Sequence, residues 1–313
     1  MKQGDQVGFV CCSNGLKKEQ ASTIQNLKEL FENRGIKPLF SNSIYEKTKE
    51  TVQPLLTQPN AVHQKFSNST NGHLSAKTWQ IDPSPHKKAE DLLQFYQNDS
   101  VTAIFDLSGG DLANTILPYL DFEQISKAEK MIWGYSDLTV LLNAIYTQTG
   151  HKNILYQIRN LTGTKRQKQQ ENFFGAILEG KKDLFTFPYI FYQGSLMEGI
   201  LLGGNIRCFL KLAGTPYFPD LQDKILFLEA RSGTPERILS YYAQLAQLGV
   251  FQKVQGILLG TFTQMDQIYD QLEPARMLIP FLPSGMPLAI TPSIGHGDDS
   301  LALEIGGYYV LRK

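Results

Sequence analysis

The stretch that most constrains the fold runs Lys130-Met131-Ile132-Trp133-Gly134-Tyr135-Ser136-Asp137-Leu138-Thr139-Val140-Leu141-Leu142-Asn143-Ala144-Ile145. Its first half is a short apolar run, enough for one buried strand ending at Tyr135. Its second half sets Leu138, Leu141, Leu142 and Ile145 on one helical face. Ser136 therefore stands at the turn between a strand and a helix. That geometry lifts a hydroxyl over the end of a sheet and aims the free N–H groups of the first helical turn at the same place. Gly-Tyr-Ser-Asp-Leu has the glycine that precedes the serine in a G-x-S-x-G nucleophile elbow, but lacks the second glycine. A serine N-cap at an ordinary βα turn fits the same letters, so the rest of the chain has to decide.

A strand and helix of this kind need neighbours. Gln6 to Cys12 reads as a buried first strand, Glu19 to Asn33 as a helix closed by Gly35, and Ile36 to Phe40 as a second strand. Val101 to Phe105 is a further buried strand, and it ends in Asp106-Leu107-Ser108-Gly109-Gly110-Asp111. Strands alternating with helices imply a parallel sheet whose working edge is the C-terminal end of its strands. A Gly-Gly pair at that edge lets backbone N–H groups approach an anion closely, although for the pair alone a tight βα turn is the better account. Neither G-x-G-x-x-G nor a Walker loop is present, which argues against a dinucleotide-binding oxidoreductase or a nucleotide hydrolase. Ser41 to Pro85 is polar and irregular, and we expect a loop with some helix near the site. His63, His73 and His86 lie there at spacings that fit no metal motif.

At 313 residues the chain has room for two domains. We expect residues 1–165 to form a Rossmann-like α/β domain with the elbow-like turn. A lysine-rich linker would span 166–190. Residues 191–313, where short apolar runs recur between turns, would form a mostly β, barrel-like domain. With 30 basic and 30 acidic residues and no basic stripe, nothing points to nucleic acid. No apolar run reaches membrane-spanning length. The start runs into a strand without a secretory pattern, and the three cysteines build no disulfide framework. The expectation is a cytoplasmic protein with no metal or other cofactor.

A serine nucleophile needs a base and a carboxylate to orient that base. Of five histidines, His296 has the most constrained setting, Thr291-Pro292-Ser293-Ile294-Gly295-His296-Gly297 directly after a strand. A turn histidine with no chemical role fits as well. Glu229 closes the apolar run Ile225-Leu226-Phe227-Leu228, which implies either a buried partner or an exit to solvent.

Taken in order, these motifs resemble one family over nearly the whole chain. They are Gly4-Asp5-x-Val7-Gly8, Gly109-Gly110 with Leu117-Pro118-Tyr119-Leu120-Asp121, Gly134-Tyr135-Ser136-Asp137, Gly203-Gly204-Asn205, Gly214-Thr215-Pro216-Tyr217, Phe227-Leu228-Glu229 and Gly295-His296-Gly297. The family is that of the serine LD-carboxypeptidases, including its microcin-immunity branch. The resemblance implies Ser136 as nucleophile, His296 as general base and Glu229 as the orienting carboxylate. It also implies the N–H groups of Gly110 and Asp137 as oxyanion hole and a homodimer, and the Asp137 carboxylate is read as supporting the first helical turn. The substrate expected from it is a murein tetrapeptide, cleaved at the L,D bond that releases terminal D-alanine. A microcin-type peptidyl- or aminoacyl-nucleotide amide is the alternative, and a silent binding protein of the same fold is another.

The chain departs from the family where typical members carry an arginine before the glycine pair and a tyrosine after it. Ser108 and Asp111 stand there instead, which together with Asn114 leans toward the immunity branch. Asn205, Arg231 and Trp133 are candidate substrate contacts. Arg231 suits a carboxylate or phosphate, or equally a surface ion pair, and for Arg207 the ion pair is the better account. Trp133 and Trp79 suit a stacked purine, with a core role for Trp133 as the competing account.

Overall fold

The computed structural model describes residues 1–45 and 83–313, with the backbone of 49–54 and 75–80 between them. Two six-stranded sheets carry the chain. The first is built from β1 (Gln6–Val10), β2 (Lys37–Phe40), β5 (Val101–Asp106), β6 (Ile132–Gly134), β7 (Asn153–Leu155) and β13 (Leu303–Ile305), in the order β13-β7-β6-β5-β1-β2. All neighbours are parallel except β13, which runs antiparallel to β7. The parallel centre of the second sheet is β9 (Leu196–Asn205), β10 (Ile225–Ala230), β11 (Gly256–Phe262) and β12 (Leu288–Ile290). At its edges β14 (Tyr308–Arg312) and β8 (Ile190–Gln193) run antiparallel, giving the order β14-β9-β10-β11-β12-β8. This is the expected α/β architecture with a second, β-rich lobe.

Of the polar stretch 41–85, β3 (Lys49–Pro54) and β4 (Ser75–Gln80) pair as an antiparallel hairpin. Residues 46–48, 55–74 and 81–82, with His63 and His73, lie outside the described residues, as does the side chain of Trp79. The stretch 166–190 is not a linker. Arg166–Glu179 is a helix, and its Phe173 and Phe174 are buried against Phe31, with Phe173 also against Phe105 and Trp133, on one face of the first sheet. Its Arg166, Gln167 and Lys168 are exposed on the solvent side of the element, which is why the sequence reads as polar. The chain also returns to the first sheet through β13, so the C-terminal region is not confined to the second lobe.

What positions the site is the helix Thr139–Thr149. Residues 139–145 are all buried, apolar and polar alike. A helix buried on every side has to be covered by more than one layer. Here one core cluster joins Ile104, Leu142 and Ile145 with Leu201, Leu226 and Phe227 of the second lobe. The contact with β9 is close enough to need glycine. Gly203 and Gly204 have φ +114° and +139°, and a Cβ on Gly204 would stand 2.4 Å from Thr139 Oγ1.

Candidate active site

Ser136 comes directly after β6 and Tyr135 with φ 57°, a left-handed conformation rare for a residue other than glycine. The 3₁₀ turn Ser136–Leu138 then leads into the helix at Thr139. Gly134 makes this turn possible, since a Cβ there would stand 2.7 Å from the Cβ of Leu138. Leu138 thus takes the place of the elbow's missing second glycine, and the first glycine accommodates it.

Glu229 is fully buried near the C-terminal end of β10, beside Asn205 on β9 in parallel register. Its Oε2 is 2.8 Å from His296 Nδ1, and His296 Nε2 is 3.0 Å from Ser136 Oγ. A buried carboxylate facing Nδ1 holds the proton on that nitrogen, so Nε2 presents its lone pair to the serine O–H. Glycine precedes the imidazole because the turn runs against β11. Ile294 O accepts from Thr261 N at 2.9 Å, and a Cβ on Gly295 would collide with Thr261 Oγ1.

Tyr135 closes the other side, its ring 4.7 Å from the imidazole at 68°. Its hydroxyl and Glu229 Oε1 are both buried, and neither has a hydrogen bond of good geometry among the described residues. Burial, and after it the Glu229 charge, pushes the phenol well above its ordinary pKa.

The turn after β5 is built on the loop after β1. Asp106 accepts from Cys12 N at 2.7 Å, from Ser108 N at 2.6 Å and from Ser108 Oγ at 2.5 Å. Ser108 Oγ in turn accepts from Ser13 N at 2.9 Å. Burial raises the Asp106 pKa despite these donors. Asn14 N donates to Gly109 O at 3.1 Å, and Asn14 Oδ1 accepts from Asp111 N at 2.8 Å. Gly110, at φ +116°, leaves the space that Asn14 Oδ1 fills. The Asp137 carboxylate does more than support its own helical turn. It is fully buried and accepts from Ser13 Oγ at 2.6 Å, from Ala113 N at 2.8 Å and from Lys211 of the second lobe.

The sequence-derived substrate contacts separate. Arg231 lines a cleft of about 610 Å³ together with His296 and Arg159. Asn205 is buried and its Oδ1 caps the short helix Ile206–Phe209, accepting from Cys208 N at 3.4 Å. Arg207 pairs with Asp111 and donates to Gly110 O at 3.0 Å. Trp133 does not reach the cleft: it packs among Phe105, Tyr156, Phe173 and Phe185 on the far side of the strand. Successive strand residues face opposite ways, so Trp133 shares the buried side opposite to Gly134. Sequence reasoning missed Tyr135, Lys211 and Arg159. Tyr135 was signalled by its place between Gly134 and Ser136, while the other two carry no local pattern. Among the described residues no group of His, Cys, Asp or Glu side chains is placed to hold a metal ion, and no helix is long and apolar enough to cross a membrane.

A strained serine turn over a parallel sheet, facing a histidine and a buried glutamate, defines a protein with a hydrolase-type triad geometry on a two-lobed α/β fold. Family models match the chain over residues 7–156, as the LD-carboxypeptidase N-terminal domain, and over 198–311, as the LD-carboxypeptidase C-terminal domain. The chain belongs to the LD-carboxypeptidase family. It is 30% identical to a probable murein peptide carboxypeptidase of Bacillus subtilis, over 70% of this chain and 72% of that protein. It is 28% identical to the microcin C7 self-immunity protein MccF of Escherichia coli, over 69% of this chain and 73% of that one. Among solved structures, MccF in complex with aspartyl sulfamoyl adenosine shares the fold with a TM-score of 0.78 at 20% identity, covering 100% of this chain and 94% of the other. A muramoyltetrapeptide carboxypeptidase from Oxalobacter formigenes does so with 0.69 at 20% identity, covering 98% and 95%.

Proposed function

We propose that the chain is a serine-type LD-carboxypeptidase acting on a murein tetrapeptide through an acyl-enzyme. The observation that carries this reading is the unbroken series Glu229, His296, Ser136 at 2.8 and 3.0 Å. Ser136 Oγ attacks the carbonyl carbon of the scissile amide while its proton passes to His296 Nε2. The resulting imidazolium is stabilised by Glu229. The oxyanion of the tetrahedral intermediate is received by the N–H groups of Asp137, at the start of the helical turn, and of Gly110. Donors of this kind are typically worth about 10²–10³ in rate each. The C–N bond then breaks, and the leaving amine takes the proton from Nε2. A water, deprotonated by the same nitrogen, hydrolyses the ester and restores the serine. Asn205, beside Glu229, is assigned to the substrate. A cytoplasmic homodimer is the working state we assign on the family likeness.

A peptidyl- or aminoacyl-nucleotide amide is the second reading. Ser108 and Asp111 favour it, standing where typical murein enzymes of the family carry arginine and tyrosine. Mass spectrometry of an L-Ala-γ-D-Glu-diamino acid-D-Ala peptide, incubated with wild type and with Ser136→Ala, tests the first reading. Release of D-alanine by wild type alone is expected. Cleavage of an aminoacyl-nucleotide amide but not of the peptide would transfer the triad to the second. Inertness toward both would make the chain a binding protein.

A further inference from the structure

The cleft beside His296 holds two guanidinium groups from opposite lobes. Arg159 belongs to the 3₁₀ turn Ile158–Thr162 after β7, and Arg231 lies just past β10, two residues beyond Glu229. Arg159 Nη2 lies 4.0 Å from where a Cβ on Gly109 would be, which places this head over the turn that ends in Gly110. Its side chain donates to Gln157 Oε1 at 3.3 Å, and neither arginine has an ion pair among the described residues. Arg207, which has the same chemistry, is already bound to Asp111 and Gly110 O. Burial pushes the half-buried Arg159 down from its ordinary pKa; the charge of Asp106 opposes this, and that of Arg231 adds a smaller push in the same direction as burial. Two cations that repel each other beside a nucleophile are relieved by an anion placed between them, and the planar fork of arginine matches a carboxylate.

Resting on the carboxypeptidase reading, we propose that Arg159 and Arg231 together receive the free carboxylate of the residue that leaves. That carboxylate lies one Cα beyond the scissile nitrogen, so a receptor for it has to stand next to the histidine that protonates this nitrogen. The pair makes the enzyme an exopeptidase, because an internal peptide bond offers no charge at that point.

The test compares the tetrapeptide bearing a free terminal carboxylate with the same peptide ending in a carboxamide. The enzymes are wild type, Arg159→Gln, Arg231→Gln and Arg231→Lys. Wild type is expected to favour the acid by at least about 100-fold in kcat/KM. Each Gln variant should raise KM for the acid about 10–100-fold, leave kcat within about threefold, and leave the carboxamide unaffected, so that the preference collapses. Arg231→Lys should recover part of the loss. If Arg159→Gln fails to fold, the exposed Arg231 carries the comparison. Equal losses on acid and carboxamide, or no loss on either, would overturn the proposal while leaving the carboxypeptidase reading in place. No release by wild type from either peptide would overturn both.

Discussion

Asn143 stands in for a missing strand, and removing it should be costly out of proportion to its size. Along the outer edge of β9, Leu201 N–H donates to Gly307 O at 2.8 Å and Leu201 O accepts from Gly306 N at 2.8 Å. Past that point the chain leading into β14 has turned away, and helix side chains satisfy the edge instead. Gly203 N donates to Asn143 Oδ1 at 3.0 Å, and Gly203 O accepts from Asn143 Nδ2 at 2.8 Å. Asn143→Ala leaves both backbone groups of Gly203 buried and unpaired. Each such group costs about 1–3 kcal/mol, partly offset by up to ~0.7 kcal/mol from the better helix propensity of alanine. The expected net loss is roughly 1.3–5.3 kcal/mol. Equilibrium urea unfolding monitored by circular dichroism checks it, with a lower midpoint and an unchanged m-value. A loss below about 1 kcal/mol would mean that water reaches Gly203 or that the helix does not cover it, and the account of how the lobes are joined would fall.

Three further outcomes are expected. Glu229→Gln keeps the shape of the buried side chain but turns a donor toward His296 Nδ1, which puts the imidazole proton on the nitrogen facing Ser136; kcat should fall about 10⁴-fold with KM little changed in a steady-state assay. Gly295→Ala, whose Cβ has no room beside Thr261 Oγ1, should displace the His296 turn and cut kcat by at least about 100-fold, and a variant with wild-type kcat would disprove the packing argument. The three cysteines are buried and burial raises their thiol pKa values, so a chromogenic disulfide at about pH 8 should label none in native protein and all three after unfolding in urea.

The strand–turn–helix around Ser136 is legible in the sequence because its apolar spacing changes period within a few residues. His296 and Glu229 are legible only as polar residues in constrained or apolar settings, and what joins them to Ser136 is the order of motifs. Contacts that form between residues far apart in the chain leave no local mark. Asn143 lies in an apolar helical run and reads as a lapse in it, yet both of its amide atoms meet Gly203. The helix Arg166–Glu179 reads as linker because its polar residues outnumber its apolar ones, although Phe173 is completely buried. Trp133 is a reasonable purine platform by composition, and strand alternation decides against it. Arg159 cannot be singled out at all, since the turn it leans over is about 50 residues away in the chain.

A triad drawn from two lobes would be at the mercy of their relative motion if loops alone set the separation. Here Ser136 is fixed by the helix on its C-terminal side. The left-handed backbone of Ser136 costs about 1–3 kcal/mol, whereas burying Leu138, Leu141, Leu142 and Ile145 contributes roughly 1.5–3 kcal/mol each. The strained turn is therefore held in place by the helix it begins. That helix is in turn held to β9 by Thr139 and Asn143, and β9 lies in register beside the Glu229 strand. The distance from Ser136 to His296 is thus set by a chain of buried contacts through Gly203 and Gly204. Substitutions at these two buried glycines should weaken catalysis by moving Glu229 and His296 relative to Ser136, in the way that small misplacements of catalytic groups do.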